Sequence, residues 1–253
     1  MLIVLPILVG LLVGVLISLT GMGGGAIITP FLILVMKVNP VLAIGTDLVF
    51  AAATKWVSGV QHKRQKNVRL RVVAWLALGS LPMSFLTSSF VLTRHARSND
   101  PLESLLPKIL GAVLIFVSLY TLARLFNWIK VNEDINWPPK WALVLIGAFG
   151  GGLVGLTSVG SGTVIMASLL IFFSLPPTQL VGLDVMHGAL LATVPAGVYA
   201  LGGQVAWPLV GLLLLGSIPG AWLGTRLIKR VPQRLVRGTL SAFLLFAGVR
   251  LFI

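Results

Sequence analysis

Four ionisable side chains stand inside otherwise apolar stretches and are the residues best able to do chemistry: Asp47, Lys55, Asp184 and His187. Asp184 is the only formal charge between Lys140 and Arg226, and Asp47 is one of two in the first 54 residues. An acid carried into lipid is costly and marks an ion site, a proton relay or a solute pathway. A plainer alternative is that each acid caps its own helix, since both follow a glycine near a predicted helix start. His187 lies three residues after Asp184 on the same helical face, where the two could carry a proton. The alternative is a packed, hydrogen-bonded histidine. Lys55 follows Asp47 by eight residues on roughly the same face, placed either to attract anions from a cytoplasmic mouth or to snorkel to the interface.

Two glycine-rich strings form the second set of candidates. Residues 20–25 read Thr-Gly-Met-Gly-Gly-Gly and residues 157–162 read Thr-Ser-Val-Gly-Ser-Gly. Residues 1–36 are continuous apolar sequence, about 54 Å long as one helix against a hydrocarbon core of about 30 Å. The chain must break, and Gly21, Gly23, Gly24 and Gly25 make breaking cheapest. A helix restarting near Ala26 presents unpaired amide hydrogens and a partial positive end, which suits an anion. Thr20, Thr157, Ser158 and Ser161 add hydroxyl donors, and Gly160 and Gly162 open the second break. The competing reading is that these glycines only allow close helix packing. That reading is preferred for Gly10-x-x-x-Gly14, Gly147-x-x-x-Gly151 and Gly216-x-x-x-Gly220-x-x-x-Gly224. Gly21-x-Gly23-x-x-Ala26 also fits a dinucleotide fingerprint, but no strand precedes it and no acid follows at the required distance.

The elements that must position these residues follow from composition. With 57% hydrophobic and 10% charged residues and a mean hydropathy of +1.02, the chain lacks the polar surface of a soluble globule. Apolar runs of about 20 residues exclude a barrel, so the expected fold is an all-α polytopic membrane protein. The chain has no cysteine and only three scattered histidines. Thiolate chemistry, disulfides and a Cys-ligated metal are therefore excluded, and no cofactor is expected. The net charge of +13 arises from basic residues beside span ends, which argues against nucleic acid. The start MLIVLPILVG has no basic region of the kind a cleavable signal carries. Trp75, Trp137, Trp141 and Trp207 flank spans as interfacial anchors.

A single offset of 137 residues aligns Gly10 with Gly147, Thr20 with Thr157, Gly23 with Gly160, Gly25 with Gly162 and Asp47 with Asp184. It also aligns GSLP at 79–82 with GSIP at 216–219. The reading is two homologous halves, residues 1–128 and 141–253, joined by a cytoplasmic linker at 129–140. Expected helical segments are 1–20, 24–37, 41–60, 71–93 and 105–128, then 141–157, 161–174, 178–200, 206–226 and 234–252. That gives 8–10 spans, depending on whether the short second segment of each half crosses fully. If all five cross, 13 basic residues fall inside and 5 outside with Lys55 set aside; if four cross, the split is 9 to 9. The positive-inside rule favours the first, hence an inverted repeat with basic loops in the cytoplasm. Inverted-repeat transporters hold solute at paired breaks near the midplane, so a small anion between the two broken helices is the expectation.

The duplicated breaks resemble the TauE/SafE sulfite exporter family, also called the toluene sulfonate uptake permease family. So do AIGTDLVFAAATKWVSGVQHKRQKNVRLR in the first half and GLDVMHGALLATVPAGVYALGGQVAWPLVGLLLLGSIPGAWLGTRL in the second. The resemblance covers nearly the whole chain. It implies a multi-pass inner-membrane transporter of sulfite, organosulfonates or related anions. Against the family's Gly-Asn-Val, this chain reads Lys66-Asn67-Val68 and Gly203-Gln204-Val205, and these turns are assigned no substrate contact. An anion channel and an intramembrane enzyme are the alternatives. The enzyme has only Asp184 with His187 to offer, and no H-E-x-x-H motif.

Overall fold

The computed structural model describes residues 4–20, 24–96, 102–126, 139–160, 162, 165, 166, 168, 169, 177–227 and 231–253. Among them are nine α-helices: α1 (Val4–Thr20), α2 (Gly25–Pro30), α3 (Pro40–Arg64), α4 (Leu70–His95), α5 (Leu102–Leu125), α6 (Lys140–Thr157), α7 (Pro177–Leu201), α8 (Trp207–Leu227) and α9 (Gln233–Phe252). A π-helical turn, Phe31–Val35, continues α2 past Pro30. Six of these helices are long and apolar enough to cross a membrane, and the chain is a multi-pass membrane protein. The linker at 129–140 falls mostly outside the described residues.

The site is positioned by α3 and α7, which pack on each other at the centre. Helix α3 starts where the sequence provides a start: Pro40 occupies the first turn and the Asn39 side chain accepts from the Val41 N–H at 2.9 Å. It ends on His62, Lys63 and Arg64, cations that suit the negative end of the helix. Both α3 and α7 are largely buried, whereas α4, α5 and α6 turn side chains such as Phe85, Phe116 and Phe149 outward. This outward apolar face is what lipid requires, because the hydrophobic effect does not hide it.

The other extensive contacts pair α1 with α8, α4 with α6, and α5 with α9. Small residues make the first two pairs possible. A Cβ added at Gly10 would strike the Leu213 backbone, and one at Gly14 the Ser217 backbone. Between α6 and α4, Gly147 meets Leu76 and Gly151 meets Ser80 in the same way. These are backbone-to-backbone approaches that only glycine permits. Gly147→Leu should therefore separate α6 from α4, at a cost of about 1–3 kcal/mol or more for overpacking. The check is a lower melting temperature of the purified protein in detergent.

Candidate functional site

Helix α1 is described as far as Thr20, residues 21–23 lie outside the described residues, and α2 begins at Gly25 after a turn at Gly24, where the chain is interrupted. The Gly24 carbonyl accepts the Ile27 and Ile28 N–H groups at 2.9 and 2.8 Å, which starts the new helix. The second interruption is at Ser158. Its N–H closes α6 on the Val154 carbonyl at 2.8 Å, and its φ of 65° turns the chain out of the helix. Gly160 follows with φ 150°, a conformation L side chains rarely adopt.

These two interruptions meet, and Asp47 of α3 stands between them. Thr29 Oγ1, one turn into α2, donates to Asp47 Oδ2 at 2.8 Å. Ser158 Oγ donates to the same oxygen from the other side. Space for this comes from Gly25, where a Cβ would lie 2.6 Å from Ser158 Oγ, 2.8 Å from Asp47 Oδ2 and against the Ser158 carbonyl. Asp47 is completely buried, and its Oδ1 has no hydrogen-bond partner among the described residues. The state described is one in which a carboxylate of the protein takes the hydroxyl hydrogens at the junction.

The remaining ionisable groups lie along the α3–α7 interface. Lys55 is 1% exposed and therefore does not snorkel; its ammonium lies against Gly188 of α7. Its charge acts on both Asp184 and Asp47. Asp184 and His187 are both fully buried, and His187 Nε2 lies 2.9 Å from Ser80 Oγ of α4. The capping alternative for the two acids does not hold: α3 begins at Pro40 and α7 at Pro177, which leaves both carboxylates well inside their helices. Among the described residues no group of three or more His, Cys, Asp or Glu could hold a metal.

Not every candidate hydroxyl faces the junction. Thr20 Oγ1 donates to the Leu16 carbonyl at 2.7 Å and Thr157 Oγ1 to the Leu153 carbonyl at 2.8 Å. Both are the back-bond to residue i−4 that a threonine near a helix end readily makes. Gly162 is buried, and Gly24 packs against Ile17 and Phe50. Gly21, Gly23 and Ser161 lie outside the described residues. Sequence reasoning missed Thr29 and Ser80. A usable signal existed for Thr29, since it follows Gly25 by four residues and so shares its helix face. The turns at Asn67 and Gln204 have a packing role, because their carbonyls fill the gaps left by Gly182 and Gly45.

An apolar helical bundle that interrupts its helices in the interior and buries ionisable groups beside the interruptions belongs to the class of membrane transport proteins. The chain is a member of the sulfite exporter TauE/SafE family, whose model matches residues 6–251, and it is a membrane transporter rather than an enzyme. It is 36% identical to the probable membrane transporter protein YjnA of Bacillus subtilis, over 97% of this chain and 98% of that one. The probable membrane transporter protein MJ0441 of Methanocaldococcus jannaschii is 26% identical over 97% and 93% of the two chains. A second Bacillus subtilis protein, the probable membrane transporter protein YdhB, is 26% identical over 98% and 99%. No solved structure matches the chain.

Proposed function

We propose that the chain is a secondary transporter that moves small sulfur-containing anions, sulfite or organosulfonates, across the inner membrane by alternating access. The observation that carries this reading is the meeting of the two chain interruptions at Gly25 and Ser158. Among the described residues the donors at the junction are the Thr29 and Ser158 hydroxyls, which suits recognition of an oxyanion by neutral donors. Of the sequence candidates, the proposed substrate-binding set keeps Gly21, Gly23, Gly25, Ser158, Gly160, Ser161 and Gly162, and leaves out Thr20 and Thr157, which bond their own helices, and Gly24, which packs on Ile17 and Phe50; Asp47, Lys55, Asp184 and His187 are proposed for coupling or gating.

The proposal includes two inverted halves, residues 1–128 and 141–253, with basic loops in the cytoplasm. Contacts that exchange under the 137-residue offset support it. Gly10 meets Leu213 while Gly147 meets Leu76, and Gly14 meets Ser217 while Gly151 meets Ser80. His62 Nε2 lies 3.3 Å from the Ser18 carbonyl, and Tyr199 donates to the Gly155 carbonyl at 3.1 Å, the same pair of positions in the other half. Opposed halves of this kind can rock about a fixed central site.

Purified protein in proteoliposomes is expected to take up sulfite or an organosulfonate with saturation and counterflow. Unsaturated flux at single-channel conductance would instead establish a pore. A binding screen with sulfite, thiosulfate, sulfate, sulfoacetate and taurine names the cargo. Asp184→Asn is expected to flatten the pH profile of flux, with Asp47, Lys55 and His187 left in place around it. An unchanged profile would rule out a proton carried at Asp184.

A further inference from the structure

Oxygen atoms dominate the junction. Asp47 Oδ2, the Thr29 hydroxyl, the Ser158 hydroxyl and the Ser158 carbonyl gather beside Gly25. The Ser158 carbonyl belongs to the end of α6, where helix carbonyls are left unpaired and the dipole is negative. A carboxylate, hydroxyls and a carbonyl freed by a break form the ligand chemistry of a small hard cation, and discontinuous membrane helices supply such sets to coupling ions. Among the described residues the ligands here are all oxygens, which turns the site away from transition metals. Asp47 Oδ1 is buried and has no hydrogen-bond partner among the described residues, which adds a second feature that calls for a ligand. Lys55 lies against Gly188 and makes no hydrogen bond to Oδ1, and its charge acts on both Asp184 and Asp47.

We propose that Asp47, Thr29 and Ser158 form a sodium site that couples the two broken helices. It supplies the coupling ion for the transporter described above and rests on that reading for its physiological use, although binding itself can be measured without transport. The site also sets an order of events. With no cation bound, Thr29 and Ser158 spend their hydroxyl hydrogens on Asp47. When sodium sits on Asp47, the hydroxyls meet it with their lone pairs and their hydrogens are released toward an anion. Sodium therefore binds before the anion, and each tightens the other's binding.

The test is the melting temperature of the purified full chain in sodium chloride, against potassium chloride and choline chloride at equal ionic strength. A saturable rise specific to sodium is expected, as for any ligand that binds only the folded state. Ser158→Ala should weaken the apparent sodium affinity by about tenfold or more and Asp47→Asn should abolish the rise, consistent with the loss of one ligand and of the charge. Thr29→Val, which keeps the side-chain shape, provides a second reading if Asp47→Asn does not fold. Equal melting in all three salts would overturn the site, as would a wild-type response to pH alone. Anion counterflow that persists undiminished in choline would overturn it while leaving the transporter reading intact. Sodium-dependent melting without counterflow of any anion would do the reverse.

Discussion

Gly25→Ala abolishes anion flux while the protein still inserts, and Gly24→Ala next to it does not. The contrast follows from what each new methyl group would meet. At Gly25 it would lie 2.6 Å from Ser158 Oγ and 2.8 Å from Asp47 Oδ2, and press on the Ser158 main chain. Neither the main chain nor a doubly held carboxylate can yield without separating α2, α3 and the end of α6. A displacement on the order of 1 Å at a positioned site is worth about a hundredfold in rate. At Gly24 the nearest atoms are Ile17 Cδ1 at 2.9 Å and Phe50 Cε1 at 3.1 Å, the far ends of side chains that can turn aside. Flux measured in proteoliposomes for both variants, with melting curves as the control, decides the matter. Equal flux from Gly25→Ala and wild type would remove the junction from the transport path.

Lys55→Met destabilises the protein strongly, and Asp184→Asn in the same chain restores much of the loss. Lys55 and Asp184 are both buried on the two central helices, and the lysine also feels Asp47. Removing one member of a buried charge pair leaves the other uncompensated, at a cost of about 3–5 kcal/mol. Methionine keeps most of the stem's volume, so the loss is electrostatic rather than a cavity. Neutralising Asp184 then removes one of the two charges that lack compensation, leaving Asp47. A double-mutant cycle on melting temperature measures the coupling directly. Additive effects of the two substitutions would mean that Lys55 answers to Asp47 instead.

Much of this arrangement is legible in the sequence, for physical reasons that differ by element. Lipid demands long apolar helices, so the all-α polytopic fold can be read from hydropathy and length, although 8–10 spans are expected and six of the described helices are long and apolar enough to cross. The first interruption is legible because a run of glycines lies inside a stretch too long to cross once. The ionisable residues are legible because so few charges occur in the spans. Pairwise geometry is not. Nothing in the local pattern tells that Thr20 and Thr157 turn back to their own carbonyls while Thr29 reaches another helix. Nor does helical spacing reveal that Lys55 stays inside, because a long stem can reach either way. Asn39 and Pro40 are the stronger start signal for α3, and they leave Asp47 inside the helix rather than at its cap.

Helix α1 finds its main neighbour in α8, and α4 finds its own in α6, so each early segment is completed by one synthesised much later. As the chain leaves the ribosome, the glycine faces of α1 and α4 wait in lipid, or beside the insertion apparatus, for partners that do not yet exist. Biogenesis is thus a late, concerted closure rather than a sequence of finished pieces. A truncated product ending before α6 would be left with open grooves on two helices, a ready target for quality-control proteolysis.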